Sequence, residues 1–216
     1  MSLTLYFHPL SSFCHKALIA LYENGTPFKP QLVNFMDPDE SAAFKAMWPI
    51  RKFPLLRDEA TGQTIPESSV VIEYLDRQYP GKTPLIPKDP AQALETRLRD
   101  RLCDLYLHLP MQKIVGDKLR PDDKRDPYGV EEARAQIDTS LRILEDILAK
   151  RTWIAGEAFT MADCAAAPPL FYIDMVVAPL ADTHKTVTAY LRRLKERPSY
   201  ARVLEEAKPY LHLVPR

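Results

Sequence analysis

The chain has 216 residues, of which 46% are hydrophobic and 27% are charged, a composition typical of globular proteins. Its 29 basic and 29 acidic residues cancel, which argues against nucleic acid or an anionic membrane as a partner. No apolar run approaches the roughly 20 residues that span a bilayer, and the N-terminus lacks a basic and apolar leader, so we expect a soluble, cytoplasmic protein.

The first 80 residues alternate between strand and helix patterns. The stretch "LTLYF" has the period of two that is typical of a strand, and "CHKALIALY" has the apolar stripe of a helix that ends near Gly25. A second strand in "FKPQLV" is followed by a short, poorly patterned segment, then by a hairpin in "FPLLRD" and "QTI" and by a helix in "PESSVVIEYLDRQ". These elements predict a thioredoxin-like βαβαββα domain over residues 1–80.

The second part of the chain has a different sequence pattern. The proline-rich stretch "PGKTPLIPKDP" has no periodicity and predicts a linker over residues 81–90. No strand pattern follows it, and leucines at positions 94, 98, 102, 105 and 109 mark a long helix. Further helical stripes follow, so residues 91–216 predict an all-helical domain.

The loop "HPLSSF" lies between the first strand and the first helix. Free N–H groups at a helix start stabilise an anion such as a thiolate, and a serine hydroxyl there can donate a further hydrogen bond. Ser11 and Ser12 could equally do no more than cap the helix. Cys14 lies on the apolar stripe of that helix, which indicates a buried, structural thiol.

The three cysteines of the chain are widely spaced and form no CxxC pair, which fits a reducing compartment and gives no metal site. The sequence therefore predicts neither a disulfide framework nor a bound metal.

Two further stretches carry candidate binding residues. In "IRKFPLL", a cis bond before Pro54 would turn the backbone of Phe53 outward to pair with an extended ligand, and Lys52 could bind a carboxylate. The simpler alternatives are a trans bond before Pro54 and a Lys52 side chain that is only solvated. In "IPESSVV", Glu67 and Ser68 stand at a helix start, where they could hold the ammonium and the carboxylate of an amino acid or could only cap the helix.

The stretch "FTMADCA" has the form of a capping box, with Thr160 and Asp163 before an apolar helix. We interpret this stretch as a folding signal without chemistry.

Taken in order, these motifs resemble the cytosolic glutathione S-transferase family. The resemblance rests on Tyr6, the S-x-x-C stretch at 11–14, "RKFPLL", "PESSVVIEYLDRQYP", the proline-rich linker, the helical second half and "FTMADCA". It is closest to serine-type members of bacterial style, similar to the theta and zeta classes.

The resemblance implies a glutathione site in the first domain. Ser11 matches the hydroxyl that donates to the glutathione sulfur, with Ser12 and Tyr6 as alternative donors. Phe53, before Pro54, would pair with the cysteinyl part through its backbone. The resemblance further assigns Glu67 and Ser68 to the γ-glutamyl end and Lys52 to the glycyl carboxylate.

The resemblance also implies an activity. Glutathione is the co-substrate, no metal takes part, and the thiolate attacks a mostly apolar electrophile in a detoxification reaction. The helical domain would supply the electrophile pocket, with candidates Tyr106, His108, Met111, Gln112, Phe171 and Tyr172. A homodimer is expected.

Two alternatives to the transferase remain. One is a glutathione-binding or protein-interaction module without catalysis, since a fold does not determine a function. The other is a glutathione-dependent isomerase, dehalogenase or peroxidase.

Overall fold

The computed structural model describes residues 2–215, and its first domain contains a four-stranded sheet and three helices. In chain order the elements are β1 (Leu3–Phe7), α1 (Ser12–Glu23), β2 (Lys29–Leu32), α2 (Pro38–Met47), β3 (Leu55–Asp58), β4 (Gln63–Pro66) and α3 (Ser68–Gln78). The predicted order βαβαββα is confirmed.

The sheet has the strand order β2-β1-β3-β4. β1 runs parallel to β2 and antiparallel to β3, and β3 and β4 form an antiparallel hairpin. The central strands are the apolar ones, with Leu5, Leu55 and Leu56 fully buried. Pro30 lies in the edge strand β2, where a residue without an N–H is tolerated.

Helix α2 lies in the segment whose sequence is poorly patterned. The side chain of Asp37 accepts hydrogen bonds from the N–H groups of Asp39 and Glu40, and Pro38 fits the first turn. Phe44 is the one buried residue of the helix. A helix that buries a single side chain leaves no apolar stripe in the sequence, which explains why periodicity did not reveal it.

The second domain is all-helical, as predicted. Its helices are α4 (Pro90–Cys103), a π-helical turn (Asp104–His108), α5 (Leu109–Lys118), α6 (Pro127–Leu148), α7 (Met161–Val176), α8 (Lys185–Glu196) and α9 (Pro198–Ala207), with short 3₁₀ turns at Asp122–Lys124, Leu180–Asp182 and Lys208–Leu213. The outer ends of the two predicted domains, Met1 and Arg216, lie outside the described residues. Within residues 2–215, no helix has both the length and the apolarity to cross a membrane.

The leucine stripe that predicted the long helix faces outward for most of its length. Leu94 is 69% exposed and Leu98 is 53% exposed, and Leu105 and Leu109 are exposed as well. The inner face of α4, which packs against α7, instead carries Ala93, Thr96, Asp100 and Cys103. The spacing of apolar residues showed which side chains share a face of the helix, but the face turned out to be the outer one.

The capping box at α7 is present and structural. The N–H of Thr160 donates to the carboxylate of Asp163 at 2.8 Å. The other carboxylate oxygen of Asp163 accepts from the N–H of Ile154 at 3.0 Å and from the hydroxyl of Tyr190 at 2.6 Å. Burial raises the pKa of Asp163 to about 6, against the effect of these hydrogen bonds. The carboxylate thus joins α7, the chain before it and α8.

Helix α1 joins the two domains through a buried ion cluster, made of Lys16, Asp100, Asp104 and Arg101 with the hydroxyl of Ser69. The ammonium of Lys16 is 2.6 Å from Asp100 and 2.8 Å from Asp104, and it donates to Ser69 at 2.8 Å. The side chains of Lys16, Asp100 and Asp104 are 0%, 2% and 7% exposed. Arg101 pairs with both carboxylates from the surface, so the cluster contains two positive and two negative groups.

Replacing the central cation should destabilise the protein strongly. We expect Lys16→Met to lower the free energy of unfolding by about 3–5 kcal/mol, because the change leaves two buried carboxylates without the ammonium. Burial already raises the pKa of Asp104 while Lys16 opposes the rise, so the loss should shrink as the pH falls toward about 4 and carboxyl groups take up protons. Urea unfolding at several pH values measures both effects.

The matched control is an ion pair at the surface. Arg142 pairs with Asp138 across one turn of α6, and both side chains are exposed. Arg142→Ala should change the free energy of unfolding by less than about 1 kcal/mol. Equal losses for the two variants would show that the Lys16 cluster contributes no more than a surface pair.

Candidate active site

Two cavities border the N-terminus of α1. The first, called the α3 cavity, has a volume of about 220 Å³ and reaches the starts of α1 and α3. The second, called the α1 cavity, has a volume of about 340 Å³ and lies between the loop after β1 and helices α5 and α7. Consecutive residues of α1 line them: Phe13 faces the α3 cavity and Ser12 faces the α1 cavity.

The structure brings the five predicted glutathione-binding residues together in the α3 cavity. They are Lys52, Phe53, Pro54, Glu67 and Ser68. The Phe53–Pro54 peptide bond is cis. The ring of Phe53 is stacked on Phe35 with centroids 4.5 Å apart, in a small apolar cluster beside the sheet.

The backbone of Glu67 is strained. Its φ is +68°, a value that side-chain-bearing residues rarely adopt, and it immediately precedes α3. Such a conformation costs on the order of 1–3 kcal/mol, and it is concentrated at binding sites. The buried Ser68 opens the helix, where unpaired N–H groups and the helix dipole favour a carboxylate.

Sequence reasoning missed two charged residues of the α3 cavity, Arg101 and Asp104. The Arg101 guanidinium donates to Asp100 at 2.8 Å and also bonds to Asp104, which fixes it at the cavity wall. Its partners come from the ion cluster, and the signal that the sequence offered is an acidic pair four residues apart, Asp100 near the end of α4 and Asp104 at the start of the π-helical turn. Because Glu67 also lines the cavity, it carries charges of both signs.

The α1 cavity contains both candidate serines. Ser11 is the N-cap of α1, and its carbonyl accepts from the N–H groups of Cys14 at 2.9 Å and His15 at 3.0 Å. Its hydroxyl makes no capping hydrogen bond, so the plain capping role does not describe this side chain. Met111, Gln112 and Tyr172, three of the predicted pocket residues, line the same cavity.

Tyr6, the other alternative donor, packs against an apolar cluster beside the sheet. It is in β1, opposite Leu55 in the register, and its ring is packed edge-on toward Phe44 at 6.4 Å. It belongs to the apolar cluster of Val33, Phe44 and Leu55. Tyr6 is not among the residues that line the two cavities.

Three of the predicted pocket residues do not line the α1 cavity. His108 is fully buried beneath Phe13, with the ring centroids 3.7 Å apart, and so lies behind the wall. Tyr106 lines a separate groove beside Ile143 of α6, because side chains two apart on a helix do not share a face. Phe171 packs edge-on against Tyr172 at 5.2 Å, which leaves Tyr172 as the one facing the α1 cavity.

The thiol of Cys14 is unsuited to chemistry. The residue is fully buried, and burial raises the pKa of its thiol to about 12, although a hydrogen bond from Ser11 acts in the opposite direction. Within residues 2–215, no cluster of three or more His, Cys, Asp or Glu side chains is arranged to hold a metal ion.

Comparison with known protein families explains this arrangement. Residues 5–83 match the family description "Glutathione S-transferase, N-terminal domain", and residues 127–205 match "Glutathione S-transferase, C-terminal domain". The chain belongs to the glutathione S-transferase family.

Three relatives illustrate the range of this family. Glutathione S-transferase GstB of Escherichia coli (strain K12) is 26% identical over 94% of this chain and 97% of its own. A stringent starvation protein A homolog of Coxiella burnetii is 26% identical over 98% of this chain and 96% of its own. A crystal structure of a glutathione S-transferase from Methylobacterium radiotolerans, in complex with glutathione sulfonate, is 27% identical with a TM-score of 0.81, covering 93% of each chain.

The burial of the cysteines leads to a prediction about their reactivity. At about pH 8 a thiol reagent should label none of Cys14, Cys103 and Cys164 in the native protein, because burial raises the pKa of each thiol and excludes the reagent. After unfolding in guanidinium, all three should react. Rapid labelling of Cys14 in the native protein would contradict its structural role.

Proposed function

We propose that this transferase binds glutathione across the two cavities, stabilises its thiolate and conjugates it to a mostly apolar electrophile, as in detoxification. The observation that carries the proposal is the position of the α1 N-terminus between the two cavities. One cavity has the charges for a zwitterion, and the other has two serine hydroxyls and apolar walls. A tripeptide whose charged end occupies the α3 cavity would present its thiol to α1.

The charged end of glutathione has matching groups in the α3 cavity. Glu67 would pair with the ammonium of the γ-glutamyl part. Ser68, the start of α3 and the fixed Arg101 would bind the adjacent carboxylate. The backbone of Phe53, before cis-Pro54, would pair with the cysteinyl part, and the exposed Lys52 would bind the glycyl carboxylate.

Ser11 is the hydroxyl that we assign to the sulfur, which makes this a serine-type transferase. Its side chain is half-buried, faces the α1 cavity and is not used for capping. The electrophile would occupy the remainder of the α1 cavity, against Met111, Gln112 and Tyr172. The relative whose structure holds glutathione sulfonate supports the assignment of the co-substrate.

A glutathione-binding module without catalysis is the second candidate. The similarity to a stringent starvation protein A homolog over almost the whole chain favours it, because that name describes no transferase. An isomerase, dehalogenase or peroxidase would use the same thiolate. Retention on immobilised glutathione, followed by conjugation assays with aryl halides, distinguishes these functions; retention without a lowered thiol pKa would favour the binding module.

Removing the Ser11 hydroxyl should reduce conjugation. We expect Ser11→Ala to lower kcat/KM roughly 10- to 100-fold, since hydrogen bonds to charged groups contribute about 1.5–3 kcal/mol. Tyr6→Phe is the matched control and should keep most of the activity, because that ring packs toward Phe44. The opposite ranking of the two variants would identify Tyr6 as the donor.

We also propose that the protein is a homodimer, with the outer leucine stripe of α4 against the first domain of a second copy. The stripe is exposed in the isolated chain, and Val70 on α3 is an exposed apolar residue of the first domain. A large exposed apolar surface of this kind marks a protein interface.

A charge placed in the stripe should weaken the dimer. We expect Leu98→Asp to raise the dimer dissociation constant at least roughly 100-fold, because a buried, unpaired carboxylate costs several kcal/mol. Leu119→Asp, at an exposed leucine beyond the end of α5, is the control. Sedimentation of the two variants over a range of concentrations tests the proposal, and a Leu98→Asp protein that remains dimeric would refute it.

A further inference from the structure

The peptide group that precedes Ser11 is hydrogen-bonded at both ends. Its carbonyl, that of Leu10, accepts from the hydroxyl of Tyr172 at 3.0 Å. Its N–H, that of Ser11, donates to the carbonyl of His8 at 2.9 Å. Because a peptide group is planar, these two bonds fix the orientation of the whole plane. They therefore also fix the direction in which the Ser11 side chain leaves the backbone.

The bond at the carbonyl end comes from the second domain. Tyr172 is a buried residue of α7 and lies 162 positions from Leu10 in the sequence. Burial raises the pKa of Tyr172 above its usual range, so the hydroxyl keeps its proton and donates throughout the physiological pH range. Without this bond, the peptide before Ser11 would be held at its N–H end alone.

His15 packs against Tyr172 and holds the neighbouring carbonyl. Its Nε2 is 2.6 Å from the carbonyl oxygen of Pro9 and is the donor, because a carbonyl oxygen only accepts. Burial lowers the pKa of His15 to about 4, so the imidazole is neutral near pH 7. The rings of His15 and Tyr172 have centroids 5.8 Å apart. Tyr172 is thus packed against α1 as well as bonded to the loop before it.

The ring and the hydroxyl of Tyr172 make different contacts. The ring lines the α1 cavity, where the proposed electrophile would lie. The hydroxyl has a single proton, which it donates to the carbonyl of Leu10, so none is left for a sulfur in the cavity. A substitution by phenylalanine would keep the wall of the cavity and remove only the bond to the loop.

We propose that Tyr172 is a positioning residue for thiolate formation: its hydroxyl fixes the Leu10–Ser11 peptide and thereby aims the Ser11 hydroxyl at the glutathione sulfur. This inference rests on the proposed function, which assigns Ser11 to the sulfur. A hydrogen bond weakens steeply when its distance or angle departs from the optimum. A misplacement of about 1 Å can cost a reaction rate on the order of 100-fold.

Tyr172→Phe tests this role. We expect kcat to fall roughly tenfold and the pKa of the bound glutathione thiol to rise by about 1, which is the same factor. KM for glutathione should change less than about twofold, because the charged end binds in the α3 cavity. Steady-state kinetics with an aryl halide and the pH dependence of the thiolate absorbance measure these quantities. An unchanged kcat and thiol pKa would overturn the proposal.

Tyr200→Phe is the matched control. The Tyr200 hydroxyl donates to the carbonyl of Ala167 at 3.1 Å, so this variant also loses one buried bond from a tyrosine to a backbone carbonyl. That carbonyl belongs to α7 and not to the loop. We expect Tyr200→Phe to keep the kcat and the thiol pKa of the parent. Equal losses in the two variants would show a general loosening of α7 and refute the positioning role.

A double-mutant cycle decides whether Tyr172 acts through Ser11. In Ser11→Ala no hydroxyl remains to be aimed, so adding Tyr172→Phe should lower kcat by less than about twofold more. A tenfold loss in both backgrounds would mean that Tyr172 acts independently of Ser11, and the proposal would be wrong.

Amide exchange provides a measurement on the parent protein, which decides even if Tyr172→Phe does not fold. The N–H of Ser11 should exchange with solvent at least roughly 100-fold more slowly than in an unfolded chain, because its peptide is held at both ends. Fast exchange would contradict the proposal.

The failure of this inference differs from the failure of the proposed function. A parent that does not bind glutathione, or a Ser11→Ala variant of full activity, refutes the proposed function together with the positioning role. An active parent whose Tyr172→Phe variant is equally active refutes the positioning role alone.

Discussion

The position of helix α1 depends on the burial of Lys16 between two carboxylates of α4 and the π-helical turn. An ammonium in an apolar helix face is tolerated only where its partners are fixed, and Asp100 and Asp104 lie at 2.6 and 2.8 Å. Because Lys16 belongs to the first domain and the carboxylates to the second, the cluster sets the register between the domains. A shift of either helix would leave buried charges unpaired.

That register places the chemical groups of the site. Asp104 bonds to Lys16 on one oxygen and faces His108 with the other, so one carboxylate links the ion cluster to the imidazole behind Ser12. The same carboxylate holds Arg101 at the wall of the α3 cavity. The charged end and the thiol end of the proposed ligand are thus positioned by a single side chain.

Much of the fold followed from local patterns, whereas the site followed from them only in part. Strand alternation and helical stripes predicted the order of the first domain, and short motifs named the residues that gather in the α3 cavity. Periodicity could not say that the stripe of α4 faces outward, because an apolar face fits a core and an interface equally well. It also could not separate Tyr106 from His108, whose surroundings come from α6 and α1 respectively.

Contacts between residues far apart in the sequence could not be predicted from local sequence patterns. The pairing of Lys16 with Asp100 and Asp104 joins residues more than 80 positions apart, and no sequence motif indicates it. The hydrogen bond between Ser12 and His108 spans 96 positions. Lys16 lies off the apolar stripe of α1, so its burial is visible only in the structure.

The ion cluster also determines how a ligand can enter. Opening the domains as a hinge would pull Lys16 away from its carboxylates and expose the apolar core that continues from the sheet into the helices. Access through bending of the whole molecule is therefore costly, and the domains act as one stiff body. A ligand would therefore meet a preformed α3 cavity, with Arg101, whose side chain is 48% exposed, held at its wall by the cluster.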